Sequence, residues 1–241
     1  NGAKIRNTVL IALSRMASEK GDELSMQHLR DAAETQLGAR FDDLAVKGGG
    51  DIGLDRLILP EKEMQQIDEV LAACRHREYV LNRWGFGKRL PTGRGICVLF
   101  DGPPGTGKTM MAKGIATELE VPFYNVLCSD IMSKWVGDSE QNLKELMETA
   151  RAHPAAVIFL DETEALIGKR GGSSTVMNRL IPEFLAQIDG LSSAEGGLLL
   201  LGATNRPWDL DPAALRHGRF GEHIYIGLPD LPARRKIIEL A

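Results

Sequence analysis

The sequence has few cysteines and few aromatic side chains. Its 241 residues include three cysteines, which are far apart in the chain and form no CxxC pair, and only 5% of the residues are aromatic. This spacing argues against a zinc site and against a disulfide framework, and it suits a reducing compartment. We therefore expect a cytoplasmic protein whose fold rests on its apolar core.

Long apolar runs and a strong charge of one sign are also missing. The longest apolar runs, such as residues 198–201, are far too short to cross a bilayer. The N-terminal residues show no basic region followed by an apolar stretch, so we expect no secretory signal and no membrane insertion. A formal net charge of −4 gives no general attraction to nucleic acid.

The chain separates into two parts with different patterns. Apolar residues recur at helical spacing in residues 4–19, and Ser25 begins a second helical pattern. A glycine-rich stretch at residues 47–50 follows, and such a stretch is typical of a flexible linker. We predict a helical segment (1–46), a linker (47–53) and one larger domain (54–241).

The larger domain alternates short apolar runs with helical patterns. The predicted strands are 96–100, 123–127, 156–160, 198–203 and 223–226. The predicted helices are 60–82, 108–118, 140–152 and 176–188. Such alternation predicts an α/β fold with a parallel five-stranded sheet and helices on both faces.

A phosphate-binding loop lies between the first strand and its helix. Residues 102–109 read GPPGTGKT, which matches G-x-x-x-x-G-K-[ST] in the position where that motif occurs. Glycines let the main-chain N–H groups point at phosphate oxygens, Lys108 reaches the β and γ phosphates, and the Thr109 hydroxyl binds Mg²⁺. The alternative is a glycine-rich turn without a ligand. The candidate nucleotide-binding residues are Gly102, Pro103, Pro104, Gly105, Thr106, Gly107, Lys108, Thr109 and Met110.

Three polar side chains follow two other strands. Asp161 and Glu162 end the strand at 156–160, where Asp161 can hold Mg²⁺ and Glu162 can activate the attacking water as a general base. Asn205 ends the next strand, where its amide could contact both the γ-phosphate and that water. The alternatives are a solvated loop for the acids and a turn residue for Asn205. We expect Glu164 to be a surface or helix-capping residue.

These motifs together resemble the AAA+ superfamily, and within it the classical AAA branch. The resemblance rests on GPPGTGKT at 102–109, VIFLDE at 157–162, GATNRP at 202–207 and LDPAALRHGRF at 210–220. It implies a five-stranded parallel sheet and a small helical lid, which we expect to be absent from a sequence that stops at Ala241. It also implies that Arg216 and Arg219 are arginine fingers that reach the ATP of a neighbouring subunit in a ring. Without it, both would be interpreted as exposed cations.

Residues 134–137 resemble a substrate-gripping pore loop. Lys134, Trp135, Val136 and Gly137 match that loop as it occurs in katanin, spastin and other protein-remodelling members. The alternative is a tryptophan packed in the core. The resemblance implies an ATP-hydrolysing motor, a homohexameric ring that threads a protein substrate. The alternative functions are a nucleic-acid-directed motor or clamp loader, and a nucleotide-dependent assembly scaffold. The net charge of −4 argues against nucleic acid as a partner.

Two segments depart from the simplest family pattern. Residues 83–87 (RWGFG) and the long helix before them lengthen the approach to the first strand. Residues 51–53 or 57–58 could supply backbone contacts to adenine. The N-terminal segment resembles the last helices of an AAA+ lid, in which Arg6 would stand at a nucleotide-sensing position. An unrelated helical hairpin is the alternative for that segment.

Overall fold

The computed structural model describes most of the larger domain and part of the N-terminal segment. The described residues are 2–18, 24–26, 28, 29, 32, 46, 47, 53–89, 95–133, 143, 144, 146–148, 150, 155–169, 175–191 and 197–240. The chain divides into two compact units, residues 1–44 and residues 45–241. Within the described part of the chain, no helix has the length and apolarity needed to cross a membrane.

The first unit contains helix α1 (Gly2–Ser18). Ser25 begins a second helical turn, because its hydroxyl accepts the His28 N–H at 3.2 Å, while its own N–H donates to His28 Nδ1 at 3.2 Å. This reciprocal pair is the arrangement of a capping box. The predicted helix start at Ser25 is therefore correct. The relation of this unit to a preceding AAA+ lid stays a prediction.

The second unit is built on a six-stranded sheet in the order β1-β3-β4-β5-β2-β6. The strands are β1 (Val46–Lys47), β2 (Ile96–Asp101), β3 (Phe123–Leu127), β4 (Ala155–Asp161), β5 (Gly197–Thr204) and β6 (Glu222–Tyr225). Strands β2 to β6 are parallel, as predicted. Strand β1 is a short antiparallel edge strand paired with β3, and it includes Val46 and Lys47, which the sequence placed in the helical segment and the linker.

Helices connect the parallel strands. They are α2 (Glu61–Glu78), α3 (Phe86–Arg89), α4 (Lys108–Glu118), α5 (Cys128–Ser133), α6 (Glu164–Ile167), α7 (Thr175–Leu191) and α8 (Leu231–Leu240). Helix α2 continues as a π-helical turn (Tyr79–Arg83), and 3₁₀ turns occur at Leu54–Arg56 and Pro207–Asp209. The helix predicted at 140–152 lies mostly outside the described residues, although Leu143, Leu146 and Met147 are helical and buried.

Both faces of the sheet are buried. Helices α2 and α4 pack on one face, where Ile67, Leu71, Met111 and Ile115 contact the side chains of alternate strand residues. The other face carries the intervening strand residues, which are fully or almost fully buried: Leu99, Tyr124, Ile158 and Leu200. A sheet with two buried faces explains why its strands read as continuous apolar runs in the sequence.

Candidate active site

The loop between β2 and α4 has the backbone of a phosphate cradle. Gly105 and Gly107 have φ angles of 76° and 94°, which L side chains rarely adopt. Gly102 lies so close to β6 that an added Cβ would come within 2.2 Å of the Ile226 carbonyl oxygen. The three glycines of the motif are therefore required by the loop's path. Gly107 directly precedes α4, so the positive end of that helix faces the loop.

The Lys108 ammonium is buried inside this loop. Lys108 is 8% exposed, and its Nζ donates to the Gly102 carbonyl at 2.8 Å and to the Pro103 carbonyl at 2.7 Å. Burial lowers the pKa of Lys108, whereas Asp161, Asp101 and Glu164 act to raise it. Both of these hydrogen bonds go to neutral carbonyls, and a buried cation in such surroundings suits an incoming anion.

The acidic pair lies at the carboxyl end of β4. Asp161 Oδ1 accepts the Glu162 N–H at 3.0 Å, and burial is the main cause that raises the pKa of Asp161. Glu162 is exposed and has a φ of 53°, which is uncommon for a residue other than glycine. Such strain costs on the order of 1–3 kcal/mol and tends to occur where a side chain must be aimed.

The strand order brings the predicted residues to one edge of the sheet. Strand β5 lies between β4 and β2, with Leu160 opposite Gly202 and Asp101 opposite Thr204. The ends of these three strands therefore carry the acidic pair, Asn205 and the loop that contains Lys108. This edge is where open α/β sheets bind their ligands.

Three buried side-chain oxygens have no hydrogen-bond partner in the described part of the chain: Asn205 Oδ1 after β5, Glu63 Oε2 near the start of α2 and Asn125 Oδ1 in β3. Unpaired buried oxygens are costly, so they commonly mark a place where a ligand or water completes the bonding. Asn205 follows a strand that ends at this edge, so its oxygen fits a site that holds a nucleotide and an attacking water.

A cavity of about 720 Å³ adjoins the phosphate loop. Gly105, Thr106, Gly107 and Met110 form one side of it, and Glu63 also lines it. The other lining residues include Leu57, Ile58, Leu59, Pro60, Tyr225, Gly227, Leu228, Pro229 and Ile237. An apolar cleft beside a phosphate loop suits a purine base. The sequence suggested Leu57 and Ile58 for this role but missed Glu63 and the residues after β6.

Glu164 is not the surface residue that we expected. Its side chain is only 9% exposed, and its Oε2 accepts the Thr204 hydroxyl at 2.6 Å. The sequence suggested a surface position because a third acid after Asp161 and Glu162 reads as part of a solvated loop. Contact with β5, which is distant in the sequence, produces the burial.

The two candidate arginine fingers differ in their surroundings. Arg219 forms a two-point pair with Asp189 of the same chain, with N–O distances of 2.9 and 2.7 Å, and its Nη1 donates to the Ala213 carbonyl at 2.8 Å. The Asp189 hydrogen bond raises the pKa of Arg219. Arg216 is exposed and forms no ion pair within the described residues. Among the described residues, Arg219 is thus held by Asp189 and Ala213, whereas Arg216 is exposed.

The pore loop and the magnesium ligands stay predictions. The pore loop at Lys134, Trp135, Val136 and Gly137 lies outside the described residues. Thr109 lies in the first turn of α4, and its place as a magnesium ligand stays a prediction. Within the described ranges, no group of three or more His, Cys, Asp or Glu side chains could form a metal cage on its own.

Comparison with known proteins identifies relatives of this chain. The sequence model of the "ATPase family associated with various cellular activities (AAA)" matches residues 98–228. Vacuolar protein sorting-associated protein 4A of Homo sapiens is 47% identical over 156 residues, 64% of this chain and 35% of that protein. Vacuolar protein sorting-associated protein 4 of Dictyostelium discoideum is 40% identical over 196 residues, 78% of this chain and 43% of that protein.

A peroxisomal protein is also similar. Peroxisomal ATPase PEX6 of Saccharomyces cerevisiae is 43% identical over 141 residues, 57% of this chain and 14% of that protein. The chain spans less than half the length of each of these relatives. The family match covers more than half of the chain and includes the phosphate loop, the acidic pair and Asn205. The resemblance found in the sequence is thereby confirmed, and the chain belongs to the AAA family of ATPases.

Proposed function

We propose that this chain is the ATP-hydrolysing module of a ring-shaped motor that remodels protein substrates. The observation that carries the proposal is the buried Lys108 ammonium, which donates to two loop carbonyls at 2.7 and 2.8 Å. It lies at the same sheet edge as Asp161 and Glu162. A buried cation at one edge with two carboxylates suits a magnesium–triphosphate pair, because the cation can bind phosphate oxygens and a carboxylate can bind the metal ion.

Each residue of the site has a distinct part in the proposed reaction. ATP with Mg²⁺ supplies the phosphoanhydride bond that is cleaved. Lys108 and the loop N–H groups bind phosphate oxygens, and Thr109 and Asp161 hold the metal ion. Glu162 takes a proton from the attacking water, and Asn205 orients that water. The exposed carboxylate of Glu162 is accessible to water from the solvent, as a general base requires.

The proposed ring follows from Arg216 and Arg219. Arg216 is exposed and without an ion-pair partner in the described part of the chain, so it can reach a triphosphate on an adjacent subunit. Arg219 is paired with Asp189, and its N–H donates to the Arg216 carbonyl at 3.0 Å, so it would help to position Arg216. A finger supplied to a neighbour makes each site incomplete in a monomer, and repeating the same contact closes a ring. We propose a homohexamer.

The substrate is proposed to be a protein. The relatives are named for vacuolar protein sorting and as a peroxisomal ATPase, and both names concern the handling of proteins or organelles. Trp135, with its flanking Lys134 and Val136, would grip a polypeptide because a large aromatic side chain makes contacts that do not depend on sequence. The free, buried Cys97 and Cys128 support a reducing cytoplasm as the site of action.

Replacing Trp135 tests the proposed threading. The Trp135→Ala variant should keep ATP turnover within about threefold of wild type, because the change leaves the phosphate site intact. A photo-reactive residue at position 135 should cross-link a chemically unfolded model polypeptide in the presence of ATP. The measurement combines phosphate release with gel analysis of the cross-linked product.

Trp84 provides the matched control for the cross-link. It is 61% exposed, so the same photo-reactive residue at position 84 is accessible to a polypeptide but should give no ATP-dependent product. Equal cross-linking at both positions, or a parallel loss of ATP turnover in Trp135→Ala, would contradict the pore-loop role and favour a tryptophan of the core.

A further inference from the structure

A side-chain network joins the loop after β4 to the end of β5. The Thr204 hydroxyl donates to Glu164 Oε2 at 2.6 Å, and Arg206 Nε lies 3.7 Å from Glu164 Oε1. The Arg206 N–H in turn donates to Thr204 Oγ1 at 3.0 Å. Thr204 and the Glu164 side chain are both shielded from water. A short hydrogen bond to a buried carboxylate is strong and directional.

A second contact lies one residue earlier on each side. The Thr163 N–H and the Thr163 hydroxyl both donate to the Ala203 carbonyl, at 3.0 and 2.8 Å. Thr163 and Glu164, two successive residues after β4, are therefore bonded to two successive residues at the end of β5. Thr163 is fully buried, and its methyl group would lie 3.1 Å from a Cβ added at Gly202. The two strand ends are packed as well as bonded.

The network includes the chain neighbours of Glu162 and Asn205, the two residues that are proposed to act on the attacking water. Glu162 directly precedes Thr163, and Asn205 lies between Thr204 and Arg206. Strand β5 ends at Thr204, so the sheet ladder does not extend to Asn205. The side-chain contacts of Thr204 and Arg206 with Glu164 thus hold the chain on both sides of Asn205.

We infer that Glu164 is a positioning residue for hydrolysis. By binding Thr204 and Arg206 it fixes Asn205 relative to the general base Glu162, and this inference rests on the proposed function. Its effect is indirect, since its carboxylate oxygens already bind Thr204 and Arg206. The fixed separation matters because a displacement of about 1 Å in an active site can lower a rate by roughly 10²-fold.

The same loop also anchors the segment that leads to Arg216. The Lys169 N–H donates to the Asp209 carbonyl at 2.7 Å, and the Asp211 N–H donates to the Ile167 carbonyl at 2.8 Å. Arg206 Nη1 lies 3.5 Å from Asp209 Oδ2. Residues 163–169 are therefore bonded both to the end of β5, next to Asn205, and to the segment that leads to Arg216.

Removing the Thr204 hydroxyl tests the inference. In the complete protein, Thr204→Val should lower kcat by at least about tenfold while the KM for ATP rises by no more than about fivefold, because the phosphate loop, which makes most of the contacts with ATP, is not altered. Thr204→Ser keeps the hydroxyl and should retain most of the wild-type kcat. Thermal unfolding of each variant is recorded, because Thr204 is buried and valine could alter stability.

A binding measurement provides a readout that does not depend on turnover. In the Glu162→Gln background, fluorescent ATP and ADP analogues are titrated and the ratio of their Kd values is compared. We expect Thr204→Val to bring this ratio at least about threefold closer to one, because Asn205 no longer holds its place at the γ-phosphate. Thr204→Ser should leave the ratio unchanged.

Variants of Glu164 show whether the two residues act together. Glu164→Ala should lower kcat at least as much as Thr204→Val, because it also removes the contact with Arg206, and the double variant should be no slower than the slower single variant, since both changes break the same Thr204–Glu164 hydrogen bond. Glu183→Ala is the matched control. It removes a carboxylate that accepts a 2.6 Å hydrogen bond from Gln187 on α7, and it should leave kcat unchanged.

Each outcome has a distinct meaning. Wild-type turnover in Thr204→Val, or additive losses in the double variant, would overturn the inference while leaving the proposed function intact. A drop in Tm with equal weakening of ATP and ADP binding would also overturn it, because that pattern indicates a purely structural role. Absence of turnover in the wild-type protein would instead refute the proposed function.

Discussion

Alanine in place of Arg216 is expected to reduce ATP turnover by about 10³-fold or more, which is the range found when an arginine finger is removed from a phosphoryl-transfer site. The Arg216 side chain is exposed and forms no ion pair within the described residues, so its charge is available to a ligand. ATP binding should change little, because in the proposed ring the loop and Lys108 that bind this ATP belong to the adjacent subunit. Phosphate release and a nucleotide titration on the same sample measure the two effects.

Arg234 is the charge-matched control for this prediction. It is also an exposed arginine, and it lies on α8 away from the segment that carries Arg216. Arg234→Ala should turn over ATP at the wild-type rate. Equal losses in both variants would indicate a general effect of surface charge, and full activity in Arg216→Ala would show that the reaction needs no finger from a neighbour.

The Glu162→Gln variant should bind ATP normally and hydrolyse it about 10²- to 10⁴-fold more slowly, the usual contribution of a general base. Glutamine has the size of glutamate and can occupy the same backbone position, but it cannot accept the proton from water. Single-turnover phosphate release, with ATP binding measured separately, distinguishes the two steps.

Glu120 provides the control for a glutamate-to-glutamine change at a residue with a positive φ angle. It is the other glutamate with a positive φ angle among the described residues, at 56°, and it is exposed at the end of α4. Glu120→Gln should leave turnover unchanged. If Glu162→Gln hydrolyses ATP at the rate of Glu120→Gln, Glu162 is not the base and the acidic pair serves only to hold the metal ion.

The sequence predicted those parts of the molecule that depend on local patterns. The five parallel strands, the phosphate loop and the helix from Lys108 are found where their apolar runs and glycines indicated. Each of these signals lies within a short window of residues. A glycine-rich loop between a buried strand and a helix is recognisable without knowing the rest of the fold.

Contacts between distant residues were not predictable in the same way. The burial of Glu164 depends on Thr204, and the pairing of Arg219 depends on Asp189. Strand β1 has only two residues and owes its existence to pairing with β3, so no periodic pattern marks it. In each case the partner lies far along the chain, and sequence spacing gives no information about it.

The cavity beside the phosphate loop was likewise only partly predictable from the sequence. Glu63 lies near the start of a helix whose sequence reads as an ordinary charged surface helix, yet the residue lines the cavity beside Met110. The residues after β6 that close the cavity, Leu228 and Pro229, carry no motif that marks nucleotide binding. Only the three-dimensional arrangement of α2, the phosphate loop and the end of β6 identifies the cleft.

Isothermal titration of the complete protein with ATP and Mg²⁺ is the most direct test of the account. We expect one binding event per chain in the wild type, and a loss of at least about 10²-fold in affinity for Lys108→Ala, because its buried ammonium makes charge-assisted contacts with phosphate. Lys113→Ala, in the same helix, should bind as the wild type does. Absence of heat with the wild-type protein, or equal affinity in Lys108→Ala, would contradict nucleotide binding at this loop.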